Sequence, residues 1–136
     1  MSDFLELARK RQSCRHFSKK PVEREKLEKC VEAASLSPSA CNSQPWSFIV
    51  VQDPKVLEEV ADCTTVLGIN KYFKDATAFV VILEEKAKLL PVLARLVDSQ
   101  IHAKGDLGGA ALSFCLEAES LGLGTCIVGV FDRPRL

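Results

Sequence analysis

The sequence predicts an α+β fold in which a few strands are wrapped by helices, one of them long, buried and central. Three β-prone runs, at 46–52, 78–83 and 125–130, are separated by segments with helical periodicity rather than by short hairpin turns. The segment 106–121 is apolar around much of its circumference, which is typical of a buried helix. With 136 residues, 47% of them hydrophobic, the chain is expected to form one domain with a real core.

The N-terminal third of the chain predicts two helices. Apolar residues between positions 4 and 8 indicate a short first helix, and a polar, basic, turn-like stretch follows at 13–21. The second helix begins at Val22, and its apolar residues recur at the spacing of one helix face: Leu27, Cys30, Val31 and Ala34. Small and polar residues with two prolines then predict a loop at 37–45, before the first strand.

The rest of the chain predicts further helices and strands. Asp53 and Pro54 are a helix-start signal, with the carboxylate at the N-cap and the proline at the first helical position. The apolar second strand, 78–83, is predicted to be central in its sheet. A helix over 86–103 is expected to start or break at Pro91, and Gly122 is expected to end the long helix before the third strand.

The composition excludes several classes of protein. Lys plus Arg and Asp plus Glu number 18 each, so the chain lacks the basic field that nucleic acids and anionic membranes require. No apolar run is long enough to cross a bilayer and the N-terminus does not read as a secretory signal, so a cytoplasmic protein is expected. The six cysteines are scattered without a C-x-x-C pair, which favours reduced thiols over disulfides or a zinc site.

No side chain in the sequence stands out as a catalyst. The glycines at 105–109 and 122–129 match neither a dinucleotide-binding fingerprint nor a phosphate-binding loop. His16 and His102 are isolated, without the spacing of a catalytic triad or of a metal site. We therefore expect the chemistry to belong to a cofactor.

Two polar segments are candidates for binding that cofactor. In 11–17, two arginines surround Ser13, a set that suits an anion, and the alternative is a solvated basic turn. In 37–46, small residues allow a flat ligand to approach closely, and Asn42 and Gln44 carry amides that match the edge of a heterocycle. The alternative there is an ordinary loop before a strand, with Trp46 in the core.

Together, and in this order, the two segments resemble the FMN-dependent nitroreductase family. The resemblance rests on Arg11-Gln12-Ser13-x-Arg15-x-Phe17 and on Ser37-Pro38-Ser39-x-x-Asn42-Ser43-Gln44-Pro45-Trp46-x-Phe48. The stretches 106–111 and 121–124 are similar to the family's central helix and the turn after it. The resemblance covers essentially the whole chain and implies a nitroreductase-like fold, with a central, mainly antiparallel sheet flanked by helices.

The resemblance implies a homodimer with FMN at the subunit interface. Arg11, Gln12, Ser13 and Arg15 would come from one subunit. Arg11 and Ser13 would hold the ribityl phosphate, and Arg15 would reach the pyrimidine side of the ring. The other subunit would pack a loop against the flavin through four residues: Pro38, Ser39, Ala40 and Asn42.

Further residues complete the implied site. Asn70 would hydrogen-bond the pyrimidine edge, and either Lys71 or Lys74 would place positive charge near it. Gly129 and Val130 would lie beside flavin N5 and offer a backbone N–H. The implied activity is ping-pong, in which NADH or NADPH passes a hydride to N5 and a small electron-poor substrate, such as a nitroaromatic or a quinone, then takes its place.

The chain ends at Leu136, soon after the third predicted strand. A single nitroreductase-like domain over 1–136, without the family's usual C-terminal arm, is therefore expected, and Arg133 and Arg135 are not equivalents of the arm's basic residues. Such a chain is expected to be either a compact member that binds flavin more weakly through the Arg11–Arg15 anion site alone, or a truncated member that binds flavin poorly or folds only as a dimer. Competing functions are a dehalogenating or flavin-modifying branch of the superfamily, and a flavin-binding or dimerisation module without efficient turnover.

Overall fold

The computed structural model describes residues 3–136, apart from the side chain of Leu67. Its helices are α1 (Phe4–Lys10), α2 (Arg24–Ser35), α3 (Pro54–Thr64), α4 (Pro91–Ala94) and α5 (Ala103–Ser120), and its strands are β1 (Trp46–Val51) and β2 (Phe79–Glu84). Short 3-10 turns cover 40–42, 66–68, 71–75 and 99–102. The predicted α+β class, with an antiparallel sheet and a long helix, is confirmed.

β1 and β2 form one antiparallel pair, with Phe48 opposite Ile82 and Val50 opposite Val80. Both strands lie within a residue of their predicted bounds. The prediction that β2 is central is wrong, because within residues 3–136 only its β1 edge is paired. Its apolar side chains instead face α5 and a cavity of about 410 Å³.

The core is built where α2 packs against α5. The buried residues of the two helices are mostly small, which allows the helices to approach closely: Leu27, Cys30 and Ala34 from α2, and Ala103, Ala110, Cys115 and Ala118 from α5. The predicted apolar face of α2 is thus confirmed. α5 is apolar beyond its buried face, since Leu112 is 50% exposed.

Two helix ends form as the sequence predicts. Asp53 caps α3 by accepting from the backbone N–H groups of Lys55 and Val56 at 2.9 and 3.2 Å, with Pro54 at the first helical position. α5 is stopped by Gly122, which lies just after its C-cap and whose φ of +74° is in the left-handed region. The Leu123 N–H then donates to the Ala118 carbonyl at 2.8 Å, which completes a Schellman cap.

The helix predicted over 86–103 is mostly wrong. Only Pro91–Ala94 is α-helical, with Pro91 at the first helical position, and a 3-10 turn follows at Ser99–His102. A helix is stabilised mainly by packing one apolar face. Leu90, Val92 and Leu96 are 70%, 70% and 76% exposed, so this segment lacks such a contact within the described chain.

The third strand predicted at 125–130 is also wrong. Within residues 3–136 its only strand-like pairing is a single parallel bridge between Ser13 and Thr125. The cavity lies between this segment and β2, because both line it. A β-prone composition forms a strand only where another strand edge is within hydrogen-bonding reach. None of the helices in the described part of the chain is long and apolar enough to cross a membrane.

Candidate cofactor-binding site

The segment 11–17 is fixed at its start to the chain that follows α5. The Cys14 N–H donates to the Thr125 carbonyl at 2.8 Å, beside the Ser13–Thr125 bridge. A Cβ added to Gly124 would lie 2.9 Å from the Cys14 sulfur, so the side chain of Cys14 lies directly over the Gly124 backbone. Position 124 therefore requires glycine for this contact.

Aromatic packing fixes the other end of the same segment. The ring of Phe17 stacks on that of Phe73, with centroids 6.3 Å apart and planes 29° from parallel. Phe73 is buried and also packs against Tyr72 and Phe79. Nearby, Thr77 donates to the Lys20 carbonyl at 2.9 Å. The segment is thereby held against residues 72–79, close to Asn70.

The polar side chains of the segment are left free for a ligand. Gln12, Ser13 and Arg15 are exposed and Arg11 is half-buried. Neither guanidinium forms an ion pair with any residue of 3–136. Two unpaired arginines around a serine form a donor set that fits a phosphate or another anion.

Asn70 has its side chain held from two sides. Its φ of 59° is left-handed, and the Tyr72 hydroxyl donates to Asn70 Oδ1 at 2.9 Å. The amide nitrogen donates to the Thr64 carbonyl at 3.5 Å. The amide is therefore oriented by its neighbours before any ligand arrives.

The structure separates the two lysines that the sequence leaves as alternatives. The ammonium of Lys74 pairs with the Asp62 carboxylate at 3.0 Å. Lys71 is exposed and forms no ion pair within the described chain. Lys71 is thus the lysine whose charge is available to a ligand near Asn70.

Gly129 and Val130 lie in the stretch that the predicted strand would have occupied. The stretch is held at its start by Thr125 and at its end by the Asp132 N–H, which donates to the Cys63 carbonyl at 2.8 Å. Both residues are exposed, and their N–H groups donate to no atom of residues 3–136. These backbone donors lie between the contact of Thr125 with Ser13 and the contact of Asp132 with Cys63.

The loop 37–45 is tied to α5 at two points. The Ser37 hydroxyl donates to the Ser113 hydroxyl at 2.7 Å, and the Ala40 N–H donates to Asp106 Oδ2 at 3.1 Å. Pro38 and Asn42 are exposed, while Ser39 and Ala40 are half-buried. The loop therefore presents a fixed backbone with exposed small and amide residues.

Three residues of this loop hold left-handed backbone conformations, which are strained in the two that are not asparagine. Cys41, Asn42 and Gln44 have φ values of 53°, 50° and 44°, a region that residues other than glycine and asparagine rarely adopt. The conformation is held by local bonds, including the Gln44 N–H to Ser39 Oγ at 2.9 Å. Such strain is concentrated at ligand-binding and active sites.

Within one chain the two candidate segments lie near opposite ends of α5. Asp106 holds the loop in the first turn of α5, whereas Ser13 and Cys14 meet the chain just after Gly122. At 1.5 Å per residue, the two places are separated by roughly 20 Å along the helix axis. One chain therefore joins the segment 11–17 to Thr125 and to Phe73, while the loop with Pro38–Asn42 lies at the other end of α5.

Sequence reasoning missed the residues that position this site. Asp106, Ser113 and Tyr72 hold the loop and Asn70, yet each reads as an ordinary helix or turn residue. The only available signal was an acidic residue in the first turn of α5, which helix electrostatics alone explains. The roles of Asp106 and Ser113 depend on contacts between distant parts of the chain, whereas the contact of Tyr72 with Asn70 is local.

The comparison with known families agrees with this arrangement of elements. The model of the nitroreductase family matches residues 8–136. The chain belongs to the nitroreductase family. An oxygen-insensitive NADPH nitroreductase of Helicobacter acinonychis is 28% identical to it, over 96% of this chain and 76% of that protein.

Solved members of the nitroreductase family share its fold. An FMN-dependent nitroreductase of Clostridium difficile superposes with a TM-score of 0.72 and 34% identity, over 91% of this chain and 65% of that chain. A nitroreductase family protein of Clostridium novyi superposes with a TM-score of 0.79 and 23% identity, over 98% of this chain and 73% of that chain. The chain thus spans about two thirds to three quarters of these relatives' lengths.

Proposed function

We propose that this chain is an FMN-dependent oxidoreductase that transfers electrons from NADH or NADPH to a small electron-poor acceptor, such as a nitroaromatic or a quinone. The observation that carries the proposal is the set of unpaired donors around Ser13, held beside Asn70, Lys71 and the free N–H groups at 129–130. Family membership and the names of the relatives support the same cofactor and reductants.

The donor set fits the parts of FMN in the order in which the chain presents them. Arg11 and Ser13 bind the phosphate through charge-assisted hydrogen bonds, and Gln12 lies between them. Arg15, Asn70 and Lys71 bind the pyrimidine edge, where positive charge favours the electron-rich form of a flavin. The N–H groups of Gly129 and Val130 orient the central ring.

FMN supplies the redox chemistry when bound, since it takes two electrons from a nicotinamide and gives them to the acceptor. The chain's own residues bind and orient it. We propose that reductant and acceptor use one open face in turn, in a ping-pong sequence.

We further propose that the active form is a homodimer with FMN at the interface. The separation of roughly 20 Å between the two candidate segments supports this, because a second chain can bring its loop to the flavin ring beside the first chain's segment 11–17. Exposed apolar side chains near the loop supply a surface for the second chain: Leu90, Val92, Leu96, Ile101 and Leu112.

The test is a visible absorption titration of the purified chain with FMN under nitrogen, followed by NADH or NADPH. The expected result is the spectrum of bound oxidised flavin, bleached by the nicotinamide and restored by a nitroaromatic or a quinone. A protein that leaves the FMN spectrum unchanged would refute the cofactor. Bound flavin that neither nicotinamide bleaches would instead favour the second candidate, a flavin-binding module without turnover.

A further inference from the structure

Two cysteines that the proposed function does not use lie side by side on different segments. Cys14 follows Ser13 and Cys126 follows Thr125, and Ser13 and Thr125 are partners in a parallel bridge. When two residues are partners in a parallel bridge, the next residue on one segment is adjacent to the next residue on the other. The side chains of these two next residues point to the same side of the pair. Cys14 and Cys126 are such neighbours.

One hydrogen bond limits the distance between them. The Cys14 N–H donates to the Thr125 carbonyl at 2.8 Å, and the carbon of that carbonyl is bonded to the nitrogen of Cys126. Standard bond lengths and hydrogen-bond angles then hold the two Cα atoms at most about 6.5 Å apart. That distance lies inside the range of roughly 4.4–6.8 Å found across disulfides.

The side chain of Cys14 already lies against the segment that carries Cys126. Its sulfur is 2.9 Å from where a Cβ of Gly124 would sit, so only a glycine at 124 leaves it room. The two thiols now make weak local contacts, Cys14 with the His16 carbonyl at 3.1 Å and Cys126 with the Ile127 carbonyl at 3.9 Å. Both can be given up at small cost.

Exposure also distinguishes these thiols from the others. Cys14 and Cys126 are both partly exposed, whereas Cys30, Cys63 and Cys115 are buried. Cys41 is exposed but lies in the loop tied to the far end of α5. A small oxidant in solvent therefore reaches Cys14 and Cys126 as neighbours, and Cys41 as a single thiol.

We propose that Cys14 and Cys126 are a redox-sensitive pair that closes to a disulfide. The oxidant is a low-molecular-weight disulfide. One cysteine thiolate attacks it, forms a mixed disulfide and releases one small thiol; the second cysteine thiolate attacks the protein sulfur of the mixed disulfide and releases the other. Two cysteine thiols are oxidised to one disulfide, and the small disulfide is reduced to two thiols that take up the two protons.

Closure ties the segment 11–17 covalently to the segment 125–130. The two segments are now joined by one bridge, so the bond would remove their freedom to separate. Because they carry Arg11, Ser13 and Gly129, the effect on FMN binding rests on the proposed function. The formation of the bond does not rest on it.

The experiment treats the native, full chain with oxidised glutathione, blocks the remaining thiols with N-ethylmaleimide, and maps the disulfides by mass spectrometry. Digestion combines trypsin with a glutamate-specific protease, because Glu117 and Glu119 separate Cys115 from Cys126. The expected product is a peptide containing Cys14 joined to one containing Cys126, with two fewer of the six thiols blocked. Dithiothreitol should restore both.

Variants provide the matched controls. Cys41→Ser should form the same bond to the same extent, whereas in Cys14→Ser the glutathione should remain on Cys126. Glutathione that stays on both cysteines of the wild-type chain, with no cross-link between them, would overturn the proposal, as would a cross-link of either one to Cys41. The wild-type map decides the question even if Cys14→Ser fails to fold, and it needs no FMN.

Discussion

Arg15 is exposed and forms no ion pair within residues 3–136, so removing its guanidinium should change the free energy of unfolding little. We expect Arg15→Ala to keep its helical circular dichroism and thermal midpoint. FMN binding should weaken about ten- to a hundredfold, the range expected for one charge-assisted contact, and the potential of any bound flavin should fall. Fluorescence titration measures the affinity.

The control for Arg15 is Arg24→Ala, which removes an exposed arginine that pairs with Glu28 on α2. That variant should bind FMN as the wild type does. Normal FMN affinity and normal reduction rate in Arg15→Ala would show that Arg15 has no part in the site.

Lys71 and Lys74 provide a second comparison at the level of single residues. Because Lys74 pairs with Asp62 and Lys71 does not pair within the described chain, only Lys71→Gln should affect FMN. We expect its FMN dissociation constant to rise several-fold at low salt, with a smaller change at high salt, since screening weakens an exposed charge. Equal effects in Lys71→Gln and Lys74→Gln would contradict this assignment.

Two glycines, one inside α5 and one just after its end, should respond to alanine with opposite signs. Gly122 holds a φ of +74° in the Schellman cap, so Gly122→Ala should lower the free energy of unfolding by about 1 kcal/mol. Gly109 lies inside the helix with open space around it, so Gly109→Ala should raise that free energy by up to about 1 kcal/mol. Urea unfolding measures both, and a stabilised Gly122→Ala would contradict the cap.

Cys30, in the interface of α2 and α5, should make the free energy of unfolding depend on pH in the alkaline range. Burial, then the nearby Glu117 carboxylate and Cys115, raises the pKa of Cys30 from 9.0 to about 11. The folded state therefore favours the neutral thiol over the thiolate. The resulting contribution to the free energy of unfolding is complete below pH 9 and is lost as the pH rises from 9 to about 11. Urea midpoints over this range should fall less steeply in Cys30→Ala than in the wild type or in Cys41→Ala, which removes an exposed thiol.

Elements whose signals are local could be predicted from the sequence. The cap at Asp53–Pro54, the stop at Gly122 and the buried face of α2 each depend on residues within one or two turns, and all three form as predicted. Where the outcome depends on a distant partner, prediction failed. The apolar residues of 86–103 lack a packing surface, and 125–130 has no strand edge to pair with in the described chain.

In the candidate site, too, some residues could be predicted from the sequence and others could not. Residue types and order were sufficient to propose Arg11, Ser13, Arg15 and Asn70 as ligand contacts. The supporting contact of Asp106 was not predictable, because it joins segments that are neighbours only after folding. The contact of Tyr72 with Asn70 is local, and it depends on the left-handed backbone conformation at Asn70. The choice between Lys71 and Lys74 likewise required the position of Asp62.

At the scale of the whole molecule, the exposed apolar residues of 90–101 should be covered in a homodimer. We expect light scattering to give the mass of two chains for the wild type. The double variant Leu96→Glu, Ile101→Glu should give the mass of one, because burying two carboxylates opposes association. The FMN affinity of this double variant should also be lower than that of the wild type.

The control for association is Val56→Glu, which places a carboxylate on the exposed side of α3. It should remain a dimer with normal FMN affinity. A wild-type chain that is monomeric at every concentration, yet binds FMN tightly, would contradict the assignment of the loop 37–45 to a second subunit.

The two ties between the loop 37–45 and α5 have a consequence for how a ligand is bound. Ser113 and Asp106 are two helical turns apart, roughly 10 Å, so the loop is fastened at two separate points to one rigid element. Its strained backbone is therefore ordered when the chain folds, and not when a ligand arrives. Because the loop is ordered before binding, a flat molecule that packs against it does not have to offset the conformational entropy of ordering the loop.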